Sequence, residues 1–261
     1  MIQDVGQLYI KQTGTGPSLL LVHGLLLNGD MFQPILEGLA DDYRILAPDL
    51  RGFGRSGHLP PPYTVKQHAD DLAQLLACLS ISSTVVLGYS QGGTVAQQLA
   101  LDYPSLVSHL VLCCTFACNR LTWQEKLEGL VMPSLVWLSS ARQLAKMVKG
   151  LTPTQEKQFE LMVASNHKSH MVEATKEMLR FDSRHRLGKI KCPTLVLAGA
   201  VDTAVPLHHA HMLAHGIPDA KLTIVPHAGH EMIWTHGAQL VEIVKLFLGE
   251  SEQSTPGLSG R

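Results

Sequence analysis

Apolar residues along this chain follow two rhythms. Ser18 to Val22, Tyr43 to Ala47, Thr84 to Leu87, His109 to Cys113, Thr194 to Ala198 and Leu222 to Val225 are brief apolar runs without clean alternation, as strands covered on both faces require. Within Thr64 to Ile81, by contrast, Val65, Ala69, Leu72, Leu75, Leu76 and Leu79 recur at helical spacing, and Thr64 with Gln67 fits a capping box. Strand and helix alternating in this way predict right-handed crossovers, a mostly parallel α/β sheet flanked by helices, and a ligand crevice at the carboxyl ends of the strands.

The rhythm breaks between Phe116 and Arg186, where no strand pattern appears and Trp123, Met132, Trp137, Met147, Met162, Met171 and Met178 are scattered through helix-like sequence. This predicts a helical cap over the crevice, with adaptable Met and Trp surface. The chain then divides into a core of residues 1–115 and 187–250, a cap of residues 116–186, and a polar, turn-rich tail of residues 251–261 predicted to be disordered.

Composition narrows the function. Hydrophobic residues make up 45% of the 261 positions and charged residues 16%, which supplies a large core and excludes a disordered chain. A net charge of -1 provides no field for holding nucleic acid or an anionic membrane. With no apolar run of spanning length and no signal-like start, the sequence reads as soluble and cytoplasmic, a monomer or small homo-oligomer. The five cysteines form no C-x-x-C pair, so Cys113, Cys114 and Cys118 read as core thiols.

The chemistry concentrates in the loops after strands. Thr84 to Leu87 runs into Gly88-Tyr89-Ser90-Gln91-Gly92, a G-x-S-x-G between strand and helix. A serine on that sharp turn needs small neighbours two residues to either side, and it presents its hydroxyl at the sheet's edge while the N–H of Gln91 opens the helix. A neutral serine needs a base and a group to orient that base. Asp202 follows the run Thr194 to Ala198, and His230 follows Leu222 to Val225 in Pro226-His227-Ala228-Gly229-His230; His227 is the competing base, less well placed than a residue just past a glycine. The Leu25 N–H, after His23-Gly24, is the candidate second oxyanion donor. The glycine-rich loop from Asp49 to Gly57 lacks the G-x-G-x-x-G of a phosphate cradle, and Asp49 is expected to pair with Arg51 beneath the site. His208, His211 and His215 share one helix face at ligand-compatible spacing, but without a carboxylate or thiolate in the run they read as surface residues, and no metal is expected.

Together the H-G at His23, D-L-R-G-F-G-R-S-G from Asp49, G-Y-S-Q-G-G from Gly88, the loop ending at Asp202 and H-A-G-H ending at His230 resemble the α/β-hydrolase superfamily, over Leu8 to Leu248. The resemblance implies the α/β-hydrolase fold, with a small cap after the sixth strand, and no cofactor. Residue by residue it implies Ser90 as nucleophile, His230 as base and then acid, Asp202 as its orienter, and Leu25 and Gln91 as oxyanion donors. The spacing looks most like small esterases, enol-lactone hydrolases and cofactor-free perhydrolases. Relatives that attack with aspartate, the dehalogenases and epoxide hydrolases, are excluded by Ser90. The substrate reading is a small, moderately hydrophobic ester or lactone held by Leu25, Leu26, Leu27, Tyr89, Trp123, Met132, Trp137, Val205, Met232 and Ile233, with no Arg or Lys clamp for a carboxylate. Cleavage of a carbon–carbon bond in a diketone, amide hydrolysis, and a ligand receptor that retains the triad are the alternatives.

Overall fold

In the computed structural model, which describes residues 2–5 and 8–253, the six apolar runs are strands and the helical stretches are helices. The chain runs β1 (Ile2–Val5), β2 (Leu8–Thr13), β3 (Ser18–Val22), α1 (Gln33–Ala40), β4 (Arg44–Pro48), α2 (Val65–Cys78), β5 (Thr84–Tyr89), α3 (Gln91–Asp102) and β6 (Val107–Cys113). Then follow α4 (Trp123–Leu138), α5 (Ala141–Met147), α6 (Pro153–Ala164) and α7 (Lys168–Arg180), an all-helical insertion after the sixth strand. β7 (Thr194–Gly199), α8 (Leu207–Gly216), β8 (Ala220–Val225), α9 (Met232–Thr235) and α10 (Gly237–Gln253) complete it.

Among the described residues the strands form one sheet in the order β1-β2-β4-β3-β5-β6-β7-β8, antiparallel at β1-β2 and β2-β4 and parallel elsewhere. The first two strands have no counterpart among the predicted runs. In β2, Leu8 and Ile10 are buried while Tyr9 and Lys11 are half-exposed, the period-two pattern of an antiparallel strand near a sheet edge rather than the unbroken run of a covered one. β8 also departs from expectation: it is the other edge, and Lys221 and Ile224 are exposed.

Parallel register aligns the carboxyl ends that matter. Val22 is level with Gly88, Tyr89 with Cys113, Cys113 with Leu197, and Gly199 with Val225, so the loops after β3, β5, β7 and β8 open on one edge. Helix α2 begins as its spacing predicts, with Thr64 Oγ1 accepting the Gln67 N–H at 3.0 Å; the reciprocal half of the box is missing because Gln67 Nε2 donates instead to Asp71. The insertion has stronger caps. α4, α5 and α6 each start with a complete capping box, at Thr122/Glu125, Ser140/Gln143 and Thr152/Gln155. Helix α10 continues through Gln253, past the predicted start of the tail at Ser251; the rest of that tail lies outside the described residues. No helix among the described residues is long and apolar enough to cross a membrane.

Candidate active site

Ser90 stands between β5 and α3 with φ 53° and ψ -121°, a conformation that costs a non-glycine residue energy and persists only where its surroundings hold it. The surroundings do so on two sides: the Ser90 N–H donates to the Cys113 carbonyl at 2.9 Å, and Thr115 Oγ1 donates to the Ser90 carbonyl at 2.6 Å. The flanking glycines are steric necessities. A Cβ at Gly88 would lie 2.4 Å from the Gly92 carbonyl oxygen, and one at Gly92 would lie 2.0 Å from that of Val22.

The loop after β8 brings His230 onto this hydroxyl. Its Nε2 lies 3.1 Å from Ser90 Oγ and its Nδ1 2.9 Å from Asp202 Oδ2, which defines a tautomer with the proton on Nδ1 and the free lone pair facing the serine. Asp202 is buried, and its other oxygen accepts the Ala204 and Val205 N–H groups at 2.9 and 2.8 Å, so the carboxylate cannot rotate away. Burial disfavours charge on His230, but the Asp202 carboxylate and the neighbouring Cys114 thiol outweigh it and raise the imidazole above its ordinary value. Tyr89 packs its ring 5.2 Å from that of His230 and donates its hydroxyl to the His230 carbonyl. His227 is exposed, at φ 60°, and makes no such contact.

The loop after β3, where the sequence reading expects the second oxyanion donor, runs beside Ser90. His23 is buried; its Nδ1–H donates to the Gly24 carbonyl at 2.9 Å and its Nε2 accepts the Leu50 N–H at 2.9 Å. Burial lowers its pKa, so the ring is a neutral brace that fixes the Gly24-Leu25 turn. The next carbonyl, of Leu26 at φ 68°, accepts from Asn166 Nδ2 at 2.7 Å, a contact supplied by the insertion. Gln91 N–H, the first of α3, has no intrahelical acceptor.

Asp49 pairs not with Arg51 but with Arg55, through Nε at 2.6 Å and Nη2 at 2.9 Å, and it also accepts the Gly29 and Arg55 N–H groups. Gly52 and Gly54 take positive φ and reverse the chain so that Arg55 folds back over the carboxylate, leaving Arg51 for a two-pronged bond to Asp71 at 2.7 Å.

A cavity of about 400 Å³ opens on Ser90 and His230, walled by Leu25, Leu27, Tyr89, Val148, Phe159, Val201 and Trp234, with Met147, Lys149 and Glu231 also lining it. Of the residues in the substrate reading, Leu25, Leu27 and Tyr89 line this cavity. Leu26 packs against the core and gives its carbonyl to Asn166, Val205 is buried with Phe116, Met178 and Leu179, Met232 sits against Cys114, and Ile233 belongs to the core. Trp123, Met132 and Trp137 are exposed on α4, away from the cavity lining. Trp234 was missed although it follows Met232 and Ile233 directly: in a one-turn helix successive side chains point about 100° apart, so two face the core and the third the cavity. Lys149 supplies the cation that the sequence reading did not find, at the exposed mouth.

Among the described residues, two groups could hold a metal ion by donor type, Cys114 with Asp202 and His230, and Glu125 with His208 and His209. In the second, His208 Nε2 and His209 Nε2 lie 2.7 and 3.2 Å from Glu125 Oε1, joining α8 to the start of α4. His209, rather than His211 or His215, is the ring beside His208, and the carboxylate comes from 83 residues upstream, where a search within the histidine run does not reach.

A family model described as alpha/beta hydrolase fold matches residues 17–237. The putative carbamate hydrolase RutD of Azorhizobium caulinodans is 27% identical over 94% of this chain and 96% of its own length. The poly(3-hydroxyalkanoate) depolymerase of Ectopseudomonas oleovorans is 31% identical over 90% of this chain and 85% of its own. Among solved structures, a thermophilic esterase from Thermogutta terrifontis superposes with a TM-score of 0.83 at 30% identity, over 93% of both chains.

Proposed function

The chain belongs to the α/β-hydrolase family, and on that premise we propose that it is a serine hydrolase cleaving carboxylic esters or lactones of small, moderately hydrophobic substrates. One observation carries the reading: Ser90 Oγ, His230 Nε2, His230 Nδ1 and Asp202 Oδ2 are linked in one unbroken chain of contacts at the wall of an apolar cavity. In this reading Ser90 attacks the carbonyl as His230 takes its proton. The tetrahedral oxyanion rests on the N–H groups of Leu25 and Gln91, and His230 then gives the proton to the departing alcohol. Water, deprotonated by the same ring, releases the acid from the Ser90 ester. The buried Asp202 holds the tautomer and stabilises the imidazolium that forms in each half-reaction.

The named relatives support this class, since one is called a poly(3-hydroxyalkanoate) depolymerase, another an esterase and a third a putative carbamate hydrolase. The last extends the acyl class to carbamates, which the same oxyanion chemistry would serve. The helices α4 to α7 act as the cap. Ser90→Ala tests the proposal: turnover of p-nitrophenyl butyrate should fall on the order of 10⁴-fold or more, with loss of labelling by a fluorophosphonate probe. Full activity in that variant would refute it. A panel of esters, lactones, carbamates and diketones against both proteins then selects the bond cleaved, and tight binding without turnover would identify a receptor instead.

A further inference from the structure

Helix α4 turns an apolar face to water. Its inner side is fixed by Val136, which is buried, and by Gly129, which closes on Leu179 of α7. At 100° per residue the opposite side carries Trp123, Leu127, Leu130, Val131, Trp137 and Leu138. Trp123, Leu130 and Leu138 are 72%, 76% and 78% exposed, and the other three 54% each. With Leu135 beside them, these side chains leave roughly 900 Å² of apolar surface open on one helix, above the few hundred Å² usual for a monomer.

We propose that this face is the interface between two copies of the chain, α4 packing on α4 about a twofold axis. The area fits: a stable dimer covers about 800 Å² on each partner. The spacing fits as well. Trp123, Leu127, Leu130, Ser134 and Trp137 recur at intervals of four, three, four and three, the seam by which one helix seats against another, with the small Ser134 leaving room for a large side chain of the facing copy. A capping box and packing on α7 hold α4 in place, so little ordering is needed on association.

Two other occupants fit less well. The substrate cavity is walled by α5, α6, α9 and the loops at the sheet's edge, with no residue of α4. A lipid surface would meet basic flanks, Arg120 before α4 and Arg142, Lys146 and Lys149 after it, but a fluid surface makes no use of the four-three-four-three seam or of the room left at Ser134.

Sedimentation velocity of the full chain across the micromolar range tests the proposal. It should show a species of twice the 28.5 kDa chain mass. Leu130 lies midway between Trp123 and Trp137 and so meets its own copy whichever way the helices run. Leu130→Glu should raise the dissociation constant on the order of a hundredfold or more, with an unchanged far-UV circular dichroism spectrum. Should that variant not fold, Leu130→Cys in a Cys78→Ala background should form a disulfide-linked dimer on oxidation. A wild-type monomer throughout, a dimer indifferent to Leu130→Glu, no cross-link from Leu130→Cys, or a monomer that floats with phosphatidylcholine vesicles would each overturn it, the last in favour of lipid.

Discussion

In the proposed mechanism His230 must be free of its proton to accept one from Ser90 and must hold that proton while the alcohol leaves, and Asp202 sets the balance between the two. Because the carboxylate favours imidazolium, the ring keeps its proton to a pH above the ordinary 6.5, and the base form that Ser90 needs is filled only above that. In the proposed mechanism kcat/KM should therefore keep climbing as pH rises above the ordinary 6.5. The same sign governs stability: a pKa raised on folding contributes most below the unfolded value, and the contribution is lost as pH rises through the folded one. Asp202→Asn should bring the kinetic inflection back toward 6.5 and lower the plateau on the order of 10⁴-fold, since an amide donating to Nδ1 selects the wrong tautomer. A pH–rate profile of both proteins checks this; an inflection that does not move would show that Asp202 leaves the base untouched.

At the scale of elements, the insertion contributes positioning as well as cover. Asn166, between α6 and α7, donates to the Leu26 carbonyl at 2.7 Å and to the Met162 carbonyl at 3.0 Å, and its side-chain oxygen accepts the Gly54 N–H at 2.7 Å. It thus ties the turn that offers Leu25 N–H to the loop built on Asp49. Asn166→Ala should lower kcat on the order of 10-fold to 100-fold with little change in KM, because a displaced donor is missed chiefly by the transition state; steady-state kinetics on one ester separates this from a loss of binding. Nothing in the sequence near Asn166 announces that role, whereas Ser90, Asp202 and His230 are legible. A nucleophile elbow demands glycines at fixed offsets, and the loops after later strands offer few other residues of the right type. Pairings across the insertion are decided by three-dimensional closure, so Glu125 with His208 and His209 has no local signal, and the pairing of Asp49 with Arg55 rather than Arg51 turns on how Gly52 and Gly54 reverse their loop. The exposed tryptophans of α4 misled for a related reason: an apolar residue in a helical insertion reads the same whether it faces a cavity or water.

For the molecule as a whole, the limit on substrate under the proposed function is the space left where insertion and core meet. Phe159 of α6 and Trp234 of α9 pack with ring centroids 5.8 Å apart, and Gln155 Nε2 donates to the Trp234 carbonyl at 3.1 Å, so this wall is shared by the two parts of the chain. The cavity, about 400 Å³, is at the small end of ligand sites, and its walls are largely apolar. Short and medium acyl chains should fill it, and longer ones must displace an aromatic ring or stay in water. For p-nitrophenyl esters of increasing length, kcat/KM should rise by a few-fold per added methylene, as about 0.8 kcal/mol of burial implies, and then fall once the wall is reached. Phe159→Ala removes part of that wall without touching Ser90, His230 or Asp202, so it should move the optimum to longer chains while the rate on acetate changes little. An optimum fixed in length, with all esters slowed equally, would mean that the Phe159 ring holds the insertion in place and does not bound the acyl chain.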